Sequence, residues 1–160
     1  MFKYFVLIAS LSFVTSSAFA EDFDISTRFG ALKINDKNIL LYKNRPLNPT
    51  IQGNSSLWEA GTYRLGNSDV VLIQDNGGNA CPVRLYFVTV SASGVKATSA
   101  FGTCTDYFDV KQRADSISVT MGGFIGSFAS EAAQRKVAKE GNHVFVFKGG
   151  VLTENGKPVK

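Results

Sequence analysis

Hydrophobic residues in this chain come in short runs separated by Gly, Asn, Asp and Pro at intervals of about ten residues, the spacing of an antiparallel all-β domain. Ile117, Val119 and Met121 alternate with Ser116, Ser118 and Thr120, which predicts a strand with one buried and one wet face. Val70–Ile73 and Arg84–Val90 are apolar on both faces, so they are predicted as central strands held between layers. Further strands are predicted over Arg28–Ile34, Ile39–Lys43, Gly61–Leu65, Tyr107–Lys111 and His143–Phe147. Turn residues at Asn35–Asn38, Ser93-Gly94, Arg113–Asp115 and Gly149-Gly150 lie between such runs, so sequence neighbours should pair as hairpins.

One stretch departs from the alternation. Glu131–Glu140 is built of strong helix formers, Ser130 stands at the N-cap position, an acid opens the first turn, and Gly141 follows as a stop. Its apolar stripe, Ala132, Ala133 and Val137 with Ala138 at its edge, is narrow, so the helix is expected to lie on the body rather than in its centre. The fold expected is therefore all-β, or β-rich α+β: a small antiparallel sandwich or partly closed barrel of about eight to ten strands, with one helix near 130–140. Asn38–Lys43 echoes Asn142–Lys148 in residue type, and Asn44-Arg45-Pro46-Leu47 echoes Gly156-Lys157-Pro158-Val159, a likeness that hairpin chemistry can produce without duplication.

The first twenty residues read as an export signal. A short basic start at Lys3, an apolar run from Tyr4 to Val14, and the Ala18-Phe19-Ala20 pattern predict cleavage between Ala20 and Glu21. The run is far shorter than the ~20 residues of a spanning helix, so no membrane anchor is expected. Removal of Met1–Ala20 from the 160-residue chain leaves 140 residues, one ordinary domain over 21–160. The address changes the reading of the two cysteines. Cys81 and Cys104 are an even pair in a chain bound for an oxidising compartment, which predicts one disulfide rather than a reactive thiol or a metal site. Charge adds little: 17 basic and 13 acidic residues are interleaved, with no basic tract to grip nucleic acid.

No motif of a nucleophile, a phosphate loop, a calcium loop or a metalloprotease is present, and the single His143 opens an apolar run without a partner signature. No cofactor and no metal site are expected. The cluster Gly122–Ser127 before the helix reads as a swing point rather than an anion site. Acids at Asp69, Asp75, Asp106, Asp109 and Asp115 would support an envelope hydrolase only by converging in space.

Three segments are better placed for contact. Asp75–Pro82, with Asp75, Asn76 and Asn79, is tied through the predicted disulfide to Phe101–Asp106, with Phe101 and Asp106. A covalent clamp between two loops lowers the ordering cost of binding, although stapling of the sheet explains the same bond. The third, Asn44–Leu57, lacks periodicity, carries Arg45 and runs into Trp58, which could be a contact or a core anchor. The expectation is a soluble binding protein of the periplasm or exterior, of inhibitor or immunity type, acting on another envelope or extracellular protein. An envelope hydrolase and a structural or assembly protein are the alternatives, the last marked by an unpaired edge strand.

Overall fold

The computed structural model of the chain describes residues 23–126 and 129–159, so the export segment, the Ala20–Glu21 junction and Ser127 lie outside the described residues. Within them the chain forms three antiparallel sheets and one helix, an all-β fold with no closed barrel. The N-terminal sheet is β1 (Phe23–Ile25), β2 (Leu32–Ile34), β3 (Leu40–Tyr42) and β4 (Arg45–Pro46), paired in that order. The central sheet is β5 (Ser56–Leu65), β6 (Ser68–Asn76) and β7 (Val83–Ser91), with β8 (Gly94–Ala97) and β9 (Phe101–Cys104) both pairing along the far side of β7. The C-terminal sheet is β10 (Phe108–Gln112), β11 (Ser116–Met121), β12 (His143–Lys148), β13 (Val151–Glu154) and β14 (Lys157–Pro158).

The two runs that are apolar on both faces decide the layering. Side chains alternate across a strand, so a run with apolar residues on both faces must be covered twice. Val71, Ile73, Val88 and Val90 pack with Ile25, Leu32, Leu40, Leu47 and Ile51 of the N-terminal layer. Val70, Leu72, Leu85 and Phe87 pack with Ile117, Val119, Phe145 and Phe147 of the C-terminal layer. Phe87 is the centre of the second core, stacked on Phe101 at 5.1 Å and on Phe147 at 4.9 Å between ring centroids. Its truncation to Ala would remove about 3–5 kcal/mol.

The hairpins at Asn35–Asn38, Ser93-Gly94, Arg113–Asp115 and Gly149-Gly150 join antiparallel neighbours as the turn residues predict. The helix α1 (Glu131–Glu140) has the predicted bounds, and the Ser130 side chain accepts a hydrogen bond from the Ala133 amide at 3.3 Å. None of its residues is buried. It crosses from β11 to β12 outside the sheet, and Val137 rests where Gly123 leaves no room for a side chain.

Several expectations are corrected. Arg28–Ile34 is strand only from Leu32, because Arg28 is drawn into an ion pair, and Phe23–Ile25 supplies an unpredicted strand. Strand segments number fourteen among the described residues, since the outer layers are built of pieces of two to six residues. Asn44–Leu57 is not a free loop: Leu47, Ile51 and Leu57 enter the core, and Leu40 and Gly53 anchor its backbone. The internal echo shifts register. The strand that precedes the Arg45-Pro46 step is β3, and its counterpart before Lys157-Pro158 is β13, not β12. Both turns have positive φ at two successive residues, Lys43 and Asn44 in one and Asn155 and Gly156 in the other, the geometry of a tight primed hairpin.

Candidate functional site

The chain closes one end of the molecule covalently. Cys81 and Cys104 are bonded, 23 positions apart, with neither left free. Cys104 pairs in register with Val83, which pairs with Asn76, which pairs with Ser56, so the bond sits at one end of the central sheet. The loop it ties, 77–82, is drawn tight by Gly77 N–H donating to the Pro82 carbonyl at 2.7 Å and Cys81 N–H donating to the Gly78 carbonyl at 3.1 Å. Any side chain at Gly77 would collide with the Cys81 carbonyl oxygen, so glycine is required there by space.

Asp75 does not reach outward from this loop as expected. It is 8% exposed and accepts the Asn54 amide hydrogen at 2.8 Å, which ties the N-terminal segment to the central sheet. It lines a cleft of about 450 Å³ together with Asn54, Gly77–Cys81 and Arg84. Beside it, burial raises the Tyr86 hydroxyl above its ordinary value, Asp75 adds to the rise, and Arg84 opposes it. Phe101 is also corrected. It belongs to strand β9 rather than to a loop, and at 5% exposure it is a core ring against Phe87 and Phe145.

Of the remaining predicted residues Asn76 is half-buried at the end of β6 rather than in a loop, and the others are at the surface. Asn79 and Asp106 are exposed on the two clamped segments, and Arg45 is exposed on the N-terminal layer, lining a separate cleft with Lys43 and Val95. Trp58 is a surface residue, 58% exposed, and not a core anchor. Its Nε1–H donates to Ser56 Oγ at 2.9 Å, Asn76 Nδ2 donates to the same oxygen at 2.9 Å, and Gln74 Nε2 donates to Asn76 Oδ1 at 2.6 Å. The sequence reading missed Tyr107, which follows Cys104 by three residues and is 82% exposed. The strand predicted over Tyr107–Lys111 includes it, but the strand begins only at Phe108.

The five acids do not converge: four are separately engaged, Asp75 with the Asn54 amide among them, and Asp106 is exposed. Asp69 binds Arg28, Asp109 is paired with Lys111 at 3.3 Å, and Asp115 with Lys148 at 2.6 Å, where the Lys148 ammonium holds the Asp115 carboxyl below its ordinary value. Asp106 does not line the Asp75 cleft. His143 Nδ1 lies 2.6 Å from Glu154 Oε1 across β12 and β13. Among the described residues no group of three or more His, Cys, Asp or Glu side chains is arranged to hold a metal, and no helix is long and apolar enough to cross a membrane.

The molecule is a three-layer antiparallel β protein with one disulfide-clamped end, and the bond is compatible with an oxidising, extracellular compartment. No family model, no curated protein and no solved structure matches the chain.

Proposed function

We propose that this is an exported binding protein that acts without catalysis, in the periplasm or outside the cell after cleavage between Ala20 and Glu21, and that its clamped rim covers a site on another envelope or extracellular protein in the manner of an inhibitor or immunity protein. The observation that carries the reading is Tyr107. A large aromatic side chain left 82% exposed, three residues after the bonded Cys104 and directly before strand β10, offers contact area on a segment tied at both ends, which lowers the ordering cost of binding. Asn79 and Asp106 stand on the two segments the bond ties, polar groups suited to the rim of a contact.

Affinity capture from an envelope fraction, with mass spectrometry of the retained proteins, tests the proposal. The wild-type protein should retain a specific partner, Tyr107→Ala and Asp106→Ala should weaken retention, and Arg45→Ala should not. Cleavage of a wall or peptide substrate by the purified protein, with no partner retained, would sink it.

A further inference from the structure

Among the described residues one sheet edge is long and free of proline and lysine, and the others are short or carry them. The N-terminal sheet ends in β1, of three residues, and β4, of two including Pro46; the C-terminal sheet ends in β14, of two including Pro158, and β10, which carries the Asp109–Lys111 pair. Brevity, proline and charge are the devices that keep edges from pairing with other chains. The central sheet ends on one side in the four-residue strands β8 and β9, and on the other in β5, ten residues long without proline or lysine. Among the described residues β5 pairs with β6 alone. Among the described hydrogen bonds outside the ladder, its backbone receives one, from the Gln112 side-chain amide to the Arg64 carbonyl at 2.8 Å.

A bulge decides which side chains that edge presents. Register shifts between Glu59 and Gly61, so the alternation of faces is offset on either side of Ala60. Thr62 hydroxyl donates to Glu59 Oε1 at 2.7 Å, which places both on one face, and Arg64 follows Thr62 by two. Trp58 lies opposite Gln74, on the face of the C-terminal core, and Ala60, Tyr63 and Leu65 pack toward the same core. Without the bulge Glu59 and Arg64, five apart, would face opposite ways.

We infer that β5 is the edge through which two copies of this chain associate, antiparallel about a two-fold axis, with Glu59 of each opposite Arg64 of the other and Trp58 opposite Leu65. The strand is self-complementary in that register. Neither Glu59 nor Arg64 belongs to an ion pair among the described residues, and the symmetric contact provides each with one. The faces agree as well, since both members of each pair stand on the same side of the extended sheet. Leu65 lines a cleft of about 430 Å³ between the central and C-terminal layers, with Val70, Phe147 and Ala114. Trp58 of the second copy arrives at its mouth, so the exposed indole of each protomer covers the apolar cleft of the other. The bulge turns away a strand that would pair in an uninterrupted register, whereas about the two-fold each copy's bulge at Ala60 lies across from Tyr63 of the other, and the two offsets cancel.

Sedimentation velocity across a wide concentration range, on the purified disulfide-bonded protein, tests the interface. Wild type should dimerise, and because Trp58 is the sole tryptophan, its emission should move to shorter wavelength as concentration rises. Glu59→Arg and Arg64→Glu should each weaken association by about tenfold or more, and the double exchange should restore it. Trp58→Ala should weaken it without changing the circular dichroism spectrum, and Tyr107→Ala should leave it unchanged. A protein monomeric throughout, a dimer indifferent to either charge reversal, one that the double exchange fails to restore, or one that Tyr107→Ala dissociates would each overturn the inference.

Discussion

Asp69 and Asp75 stand near opposite ends of one face of β6, and each accepts a backbone amide hydrogen from the N-terminal layer, Asp69 from Arg28 at 2.6 Å and Asp75 from Asn54 at 2.8 Å. The two carboxylates act as clasps that fasten an outer sheet of very short strands to the long central one. Asp69 also takes Arg28 Nε at 2.7 Å, and the same guanidinium reaches the Ser68 carbonyl at 2.9 Å.

Asp69→Ala should therefore destabilise the fold by about 2–3 kcal/mol, the scale of hydrogen bonds to a charged group together with the donors left behind. Urea unfolding should show a lower midpoint with an unchanged slope. A midpoint equal to wild type would mean that water replaces the clasp without loss.

Reduction of the Cys81–Cys104 bond should lower stability by about 3 kcal/mol, because it frees a loop spanning a separation of 23 residues in the unfolded chain. Denaturation with and without reductant measures this. Thiol titration of the unfolded, unreduced protein should find no free thiol.

Gly77→Ala should separate the clamp from the fold. The added methyl meets the Cys81 carbonyl oxygen, so the loop must shift, whereas the two cores, built from other residues, are untouched. Retention of the partner should fall several-fold while the thermal midpoint moves by only a few degrees. Unchanged retention would show that the loop's shape does not matter to contact.

Alkaline pH should weaken the fold. Tyr63 and Tyr86 are both raised, each first by burial and then by a neighbouring carboxylate, Glu59 and Asp75 respectively. A raised acid keeps its proton in the folded state after the unfolded chain has lost it, so stability is full below the ordinary tyrosine value near pH 10 and falls as pH rises through the folded values. Tyr86→Phe should flatten that decline while leaving neutral-pH stability nearly unchanged. An equal decline in the variant would remove Tyr86 from the explanation.

N-terminal sequencing of the exported product should begin at Glu21. A product that retains Met1 would remove the compartment from the proposed function.

Much of the architecture was legible because it rests on local rules. Two-sided hydrophobicity in Val70–Ile73 and Arg84–Val90 announced covering layers on both faces, and Ser130 and Gly141 marked the helix to the residue. The outer strands were harder to read, since pieces such as Phe23–Ile25 and Arg45–Pro46 are too short to show a period. The candidate site was legible in part. The turn residues and the cysteine pair pointed to the clamped end, but residue type could not tell that Phe101 turns inward while Tyr107 turns outward, nor that Asp75 is spent on Asn54.

By itself the sequence determined an all-β domain with one late helix and one disulfide, because alternation, capping and an isolated cysteine pair are properties of neighbouring residues. The stacking of three sheets, the clasps at Asp69 and Asp75, and the sharing of one face by Glu59 and Arg64 were decided only in the tertiary structure. Each depends on register, and a single extra residue at Ala60 exchanges the faces of everything beyond it.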